Sequence, residues 1–185
     1  MRLQVRVKIA AMQLETSRLR LRVWRPTDGD AFAALNSDPE VMADEGGPID
    51  RASSDAKLVR YAAAFERHGI GRWLVEDRDG GFLGYAGVMP SPPSHPLGEH
   101  VESGWRLLRT AWGRGYATEA ARAALDDALG RAGLPEVLAY TAADNLRSRA
   151  VMERLGLRRD PARDFTADYP RQKGWRGLVW VARRG

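Results

Sequence analysis

Val101-Glu102-Ser103-Gly104-Trp105-Arg106-Leu107, followed by Leu108-Arg109-Thr110-Ala111 and then Trp112-Gly113-Arg114-Gly115-Tyr116-Ala117-Thr118, joins two periodicities through a glycine-punctuated turn. In the first segment Val101, Ser103, Trp105 and Leu107 share one face of an extended chain, and Glu102, Gly104 and Arg106 share the other. A strand is expected there, with a carboxylate on it. After the turn, Ala117, Ala120, Ala121, Ala124, Leu125, Ala128, Leu129 and Ala132 recur at i, i+3, i+4 and i+7, the stripe of an amphipathic helix. Gly133 and Pro135 are its expected end. Residues 137–141 read as a short buried strand. A strand, a helix and a strand in succession predict a right-handed crossover to a parallel neighbour.

Gly113 and Gly115 stand where strand becomes helix, and glycine lets backbone approach a ligand without a Cβ in the way. The first N–H groups of a helix have no intrahelical partner, and the macrodipole places partial positive charge on them. A pyrophosphate suits such a terminus, with Arg109 and Arg114 available as added positive charge. The glycines by themselves also suit a plain tight turn. A dinucleotide fingerprint would want a small residue where Thr118 stands, and the Gly-Lys-Ser/Thr of a P-loop is missing.

Working outward, residues 18–24 alternate as a half-buried first strand, and a turn at residues 26–30 leads into a short helix through Phe32 and Leu35. Asp38-Pro39 should stop it. Residues 51–68 form a second helix with Gly69 as its cap. Residues 72–76 and 82–88 flank an Asp-Gly turn and read as an antiparallel hairpin. Pro90 to Pro96 carries too many prolines to pair regularly and reads as an exposed loop. Asp144 or Asn145 caps a helix that runs to Leu155 and stops at Gly156, and residues 178–181 form a last buried strand. The chain is therefore of the α/β class with a mixed sheet: one domain over residues 14–185, preceded by an extension at 1–13.

Its 185 residues are 44% hydrophobic, enough for a core and too apolar for disorder. No run approaches the roughly 18 apolar residues of a membrane span, and no signal-peptide core is present, so a cytoplasmic protein is expected. Cysteine is absent and the 3 histidines (His68, His95, His100) lack ligand spacing, so neither thiolate chemistry nor a metal is expected. The net charge of +5 is spread along the chain rather than blocked. Arg147, Arg149, Arg154, Arg158 and Arg159 fall on several sides of a helical wheel, without an aromatic strand motif, which argues against nucleic acid as partner.

Four ordered motifs carry a family resemblance: Glu102 to Leu107, Trp112 to Glu119, Asn145-Leu146-Arg147-Ser148, and Val151-Met152-Glu153-Arg154-Leu155-Gly156. Over residues 16 to about 170 the chain resembles the GNAT acetyltransferases, in the branch that includes ribosomal-protein N-terminal acetyltransferases. The resemblance implies a twisted, largely antiparallel sheet with flanking helices and a parallel strand pair that splays to admit acetyl-CoA. It implies that backbone at Leu107 pairs with the pantetheine arm, that Gly113, Arg114, Gly115, Ala117 and Thr118 hold the phosphates, and that Asn145 binds the cofactor. Where related chains often carry a histidine before the last strand, Trp175-Arg176-Gly177-Leu178 has none.

The reaction so implied is acetyl transfer to a primary amine, either a protein N-terminus or a small molecule, by direct attack on the thioester. Glu102 is the expected base, through water, and Ser148 the expected acid for the departing thiolate. A strand amide at Leu107 or Leu108 is the expected oxyanion donor. The acceptor would meet the first two helices and the loop at 90–96. A monomer or homodimer is expected, with Val5, Val7 and Ile9 of the extension able to influence which. The alternative is an acyl-CoA-binding module without catalysis, in which Glu102 and Ser148 would be dispensable.

Overall fold

The computed structural model describes residues 12–184. Residues 1–11 of the expected extension, including Val5, Val7 and Ile9, lie outside the described residues, whereas Gln13 already belongs to a strand.

The strands are β1 (Gln13–Glu15), β2 (Leu19–Arg22), β3 (Arg72–Asp77), β4 (Phe82–Pro90), β5 (Val101–Leu107), β6 (Glu136–Thr141), β7 (Arg158–Arg159), β8 (Phe165–Tyr169) and β9 (Gln172–Arg183). The helices are α1 (Gly29–Ser37), α2 (Arg51–His68), α3 (Tyr116–Leu129) and α4 (Leu146–Arg154). The strands form one mixed sheet in the order β1-β2-β3-β4-β5-β6-β9-β7, with β8 paired to β9. Every neighbouring pair is antiparallel except β5 and β6, whose parallel ladder holds at a single position, Glu102 opposite Leu138. Beyond that contact the two strands part. No helix among the described residues is long and apolar enough to cross a membrane.

Side-chain alternation sorts the core onto the two faces. Leu19, Leu21, Trp73, Val75, Ala86 and Leu107 meet the Ala120 and Ala124 stripe of α3. Leu74 and Tyr85, pointing the other way, pack against Phe32 and Leu35 of α1 and Leu58 and Tyr61 of α2. The small alanine side chains let α3 lie close to the strands that carry the turn.

Several elements differ from their sequence-based bounds. The strand expected first in the chain, at 18–24, is preceded by β1 and is itself β2; it stops at Arg22, because Trp24 turns inward, its Nε1 donating to Arg72 O at 2.6 Å and its ring 4.6 Å from that of Phe32. Helix α3 ends at Leu129 rather than Ala132: Gly130 N closes the last turn on Asp126 O at 2.8 Å. The chain keeps curving through Ala132 N to Asp127 O, 3.0 Å, so the apolar stripe outlasts the helix. Pro90 ends β4 rather than opening the loop. The last strand spans Gln172–Arg183, far beyond 178–181, and its hairpin with β8 was not visible in the sequence pattern.

Candidate active site

Strand β5 delivers the turn to the point where the sheet opens. Leu108 N donates to Leu83 O at 2.8 Å, so its amide belongs to the sheet and is no oxyanion donor. Leu107 faces the other way: its carbonyl accepts from Trp112 Nε1 at 2.9 Å rather than from β6. A strand residue's N–H and C=O point to the same side of an antiparallel ladder, so the Leu107 amide also looks into the gap. Of the two expected donors, Leu107 alone has that orientation.

A short turn at Arg109–Ala111 then leads to Gly113 (φ 72°) and Gly115 (φ 79°), both in the left-handed region that disfavours side chains. Gly115 is the N-cap of α3 and no side chain caps the helix. Its first bond is Glu119 N to Gly115 O, 3.0 Å, which leaves the amides of Tyr116, Ala117 and Thr118 without helical partners. Thr118 Oγ1, one turn in, is buried with no hydrogen-bond partner. A free helix terminus, an orphaned hydroxyl and open space where a Gly113 Cβ would stand together suit a diphosphate. Acetyl-CoA fits the residues present.

These groups border a cleft of about 1440 Å³. Leu107, Gly113, Gly115, Ala117, Thr118, Asn145 and Ser148 all line it, so the expected cofactor-binding groups and the expected acid are brought together. Arg114 does not line it; its carbonyl accepts from Arg18 Nη1 at 2.9 Å and its guanidinium sits 5.2 Å from the Tyr116 ring centre. Arg109 is turned away as well, paired with Glu40 and Asp38. A carboxylate in the first turn of α3, Glu119, would repel an anion if left alone. It accepts from Thr16 Oγ1 (2.6 Å) and from Arg18 Nε (2.7 Å). Burial pushes its pKa up, but these bonds outweigh burial and hold the carboxyl below its ordinary value.

Asn145 caps α4, accepting from Ser148 N at 3.1 Å, while its Nδ2 donates to Asp44 Oδ2 at 3.3 Å. Both ends of its side chain are thus engaged with protein. Asp44 sits on a loop fastened to β5 through Arg106, whose guanidinium also meets Glu45 Oε1 at 2.9 Å. Lys57 Nζ reaches Glu45 Oε2 at 3.1 Å. Burial alone would raise the Glu45 pKa, but Arg106 and Lys57 bring it down to about 2. Gln172 Nε2 donates to Asp44 O at 3.1 Å, tying the β8–β9 hairpin to the same loop.

Glu102 is not part of the cleft wall. Its Oε1 accepts from Arg72 Nη2 at 2.7 Å, and the Arg72 side chain is only 6% exposed against 27% for Glu102. Arg72 reaches it by lying across Gly104, where a Cβ would be 2.9 Å from Nη2. Tyr140 stands on the neighbouring strand; burial pushes its phenol up and the Glu102 carboxylate adds to the rise. The loop at 91–100 closes over this side, with His95 4.7 Å from His100, 5.3 Å from Tyr140 and 4.8 Å from Phe165, ring centre to ring centre. Trp175 of β9 continues the aromatic layer, 5.7 Å from Phe165, and also borders the cleft. Sequence reasoning missed Arg72, Asp44, Gln172 and Trp175. An arginine opening a buried strand was the one available signal, for Arg72.

Comparison with known proteins agrees with this geometry. The acetyltransferase (GNAT) domain model matches residues 18–158. YkkB of Bacillus subtilis (strain 168), an uncharacterized protein, is 33% identical over 151 residues, covering 80% of this chain and 86% of its own. FsC-acetyl coenzyme A-N(2)-transacetylase of Aspergillus fumigatus is 32% identical over 151 residues, 78% of this chain and 64% of that longer relative. The crystal structure of an acetyltransferase from Agrobacterium tumefaciens str. C58 superposes with a TM-score of 0.78 at 30% identity, covering 94% of this chain and 95% of that one. A mixed sheet parting at one parallel pair, with an uncapped helix terminus at the opening, defines a CoA-dependent acyltransferase fold. The chain belongs to the GNAT acetyltransferase family, whose members transfer an acetyl group from acetyl-CoA.

Proposed function

We propose that the chain is an N-acetyltransferase that moves the acetyl group of acetyl-CoA to a primary amine, a protein N-terminus or a small amine, by direct attack on the thioester. The observation that carries this reading is the cleft where β5 parts from β6: the Leu107 backbone lies at one end and the uncapped terminus of α3 at the other.

In this reading the amides around Gly113 to Thr118 hold the pyrophosphate, and the Leu107 backbone pairs with the pantetheine arm. The Leu107 amide polarises the thioester carbonyl. Asn145 contributes by fixing the N-terminus of α4, since its side chain is spent on the cap and on Asp44. An α-amine has a reference pKa of about 8 and is already partly neutral at pH 7, so attack needs only modest base help. Its proton passes through water to Glu102, whose carboxylate Arg72 holds in place. As the C–N bond forms, the C–S bond breaks, and the thiolate takes its proton from Ser148. The amine enters beside Asp44, Gln172 and Trp175, which border the cleft on the side of the β8–β9 hairpin.

The test is release of free CoA thiol from acetyl-CoA against a panel of peptide N-termini, amino acids, polyamines and aminoglycosides. Turnover with one class identifies the acceptor. The second reading, a binding module without catalysis, draws on the pairing of Glu102 with Arg72, which a purely structural carboxylate would also show. CoA binding with no thiol release from any amine supports that second reading.

A further inference from the structure

On the side of the sheet that carries Glu102, the charged groups already have partners. Arg72 holds Glu102 at 2.7 Å, Arg106 holds Asp44 at 2.7 Å and Glu45 at 2.9 Å, and Lys57 holds Glu45 at 3.1 Å. Cations and carboxylates balance there, which leaves no net charge to recognise a second charge on an acceptor. The polar side chains at the tip of the β8–β9 hairpin are occupied too. Arg171 Nη2 donates to Gly46 O (2.7 Å) and Pro48 O (2.8 Å), and Gln172 Nε2 to Asp44 O (3.1 Å). The other hairpin residue on the cleft border is Trp175. Its ring is seated by its neighbours: a Cβ at Gly177 would stand 2.6 Å from Trp175 Cζ3 and 2.7 Å from Phe165 Cε1. Tyr169 and Tyr140 meet the indole in T-shaped contacts, 5.6 and 6.4 Å between ring centres. All three rings are only part-buried. Burial raises the pKa of the Tyr169 phenol and the Glu102 carboxylate raises it further, so this ring stands within reach of that charge. A fixed, part-exposed aromatic surface thus runs from the cleft border toward Glu102.

We propose that Trp175 selects the acceptor, and that the acceptor is an arylalkylamine, a primary amine a few bonds from an aromatic ring with no second charge; this rests on the N-acetyltransferase reading above and narrows it. Aromatic rings in offset-stacked or T-shaped contact gain more than the area they bury. A wall already held in place by Gly177, Phe165 and the two tyrosines loses little freedom when a ligand meets it. With its ring against Trp175, the acceptor extends its amine on a short linker toward the opening between β5 and β6. The rival is a polyamine, whose second ammonium would sit over the same indole or beside Asp144, a cleft-border carboxylate without an ion pair among the described residues. Against it stands the charge of the hairpin, where Arg171, Lys173 and Arg176 face the single acid Asp168 between residues 165 and 177. That excess repels a dication at the entrance and leaves an aromatic monoamine less affected.

Thiol release from acetyl-CoA tests this, followed with phenethylamine, tryptamine, n-butylamine and spermidine on the wild-type chain and on Trp175→Leu and Trp175→Phe. For wild type, kcat/KM with the two arylalkylamines should exceed that with butylamine or spermidine by roughly tenfold or more. Trp175→Leu fills the space without an aromatic face, so the ratio of phenethylamine to butylamine should fall toward one, through a higher amine KM rather than a lower kcat. Trp175→Phe should keep most of the preference, and KM for acetyl-CoA should stay within about twofold in both variants. The wild-type panel decides the acceptor class whether or not a variant folds. Turnover of butylamine or spermidine equal to that of phenethylamine overturns the assignment and leaves the acetyltransferase reading intact. Turnover confined to peptide N-termini, amino acids or aminoglycosides has the same meaning. An aromatic preference that survives Trp175→Leu removes Trp175 as the selecting residue. No thiol release from any amine overturns the acetyltransferase reading and this inference with it.

Discussion

Arg72 on β3 and Glu102 on β5 are joined across the intervening strand, Nη2 to Oε1 at 2.7 Å, and the path between them passes over Gly104. The guanidinium is further satisfied by Gly104 O at 3.2 Å and by Gly87 O. A buried cation of this kind is tolerable because of its partner, and removing one member of such a pair costs more than the pair contributes. Glu102 therefore has a structural duty whatever else it does, and a test of its chemistry must separate the two.

Glu102→Gln keeps the side chain's shape and removes its charge. Stability should fall by ~2–3 kcal/mol, since Arg72 keeps its carbonyl partners but loses its counterion. If Glu102 also takes the proton, kcat should drop roughly tenfold to ten-thousandfold with acetyl-CoA affinity unchanged. Urea denaturation, calorimetric binding and steady-state kinetics on the same preparation resolve these terms. A destabilised variant with intact kcat reduces Glu102 to a counterion.

Glu45 makes a prediction about acid stability. Its carboxyl titrates at about 2 in the folded protein against an ordinary 4.5, so the unfolded chain binds more protons between those values. The stabilisation is fully present above pH 4.5 and is lost as pH falls toward 2. With the side chain 43% exposed, solvent screening trims its size. Glu45→Gln should flatten the stability curve in that window and leave its slope at neutral pH unchanged. Urea midpoints measured from pH 5 downward would decide it, and an unchanged acid slope would remove the assignment.

Gly113→Ala distinguishes a turn from a cradle. At φ 72° an added Cβ is strained, costing ~1–2 kcal/mol, yet it meets no protein atom within 4 Å. What it does meet is the space assigned to the diphosphate. KM for acetyl-CoA should therefore rise by more than tenfold, while the loss in Tm stays within the few degrees that the backbone strain explains. A shift in Tm without a change in KM would make the glycine a turn former and nothing more.

The two sides of the site were unequally legible, for a reason of chain geometry. The side proposed for the cofactor comes from residues 107–118 and 145–148, each a contiguous stretch whose alternation, glycine spacing and cap residue are local signals. The side facing Glu102 is assembled from β3, β6, the loop at 91–100 and the β8–β9 hairpin, far apart in sequence. Arg72 and Glu102 are not neighbours on any single element, so no periodicity relates them. The hairpin escaped because Lys173, Gly174 and Arg176 are exposed and its pairing shifts register between Ala167 and Tyr169, which spoils the alternation. Helix α3 was read too long because Ala132 continues the apolar stripe after the helix has closed at Gly130.

Thr118 bears most directly on why the helix terminus is built as it is. Its Oγ1 is buried and unpartnered in the protein, on a residue that borders the cleft beside amides without helical partners. An unsatisfied buried hydroxyl is a cost, and replacing it by a methyl group of similar shape relieves that cost. Thr118→Val should therefore leave the ligand-free protein as stable as wild type or slightly more so. The same change deletes a donor to the bound diphosphate, so affinity for CoA should fall roughly tenfold, about 1.4 kcal/mol. Ligand-induced stabilisation follows RT ln(1 + [L]/Kd), so the rise in Tm on adding CoA should shrink by the corresponding amount. Thermal denaturation with and without CoA reads both effects in one experiment. A less stable free protein with an undiminished CoA-induced shift would mean that Thr118 serves the fold, and that the hydroxyl's missing partner is not the cofactor.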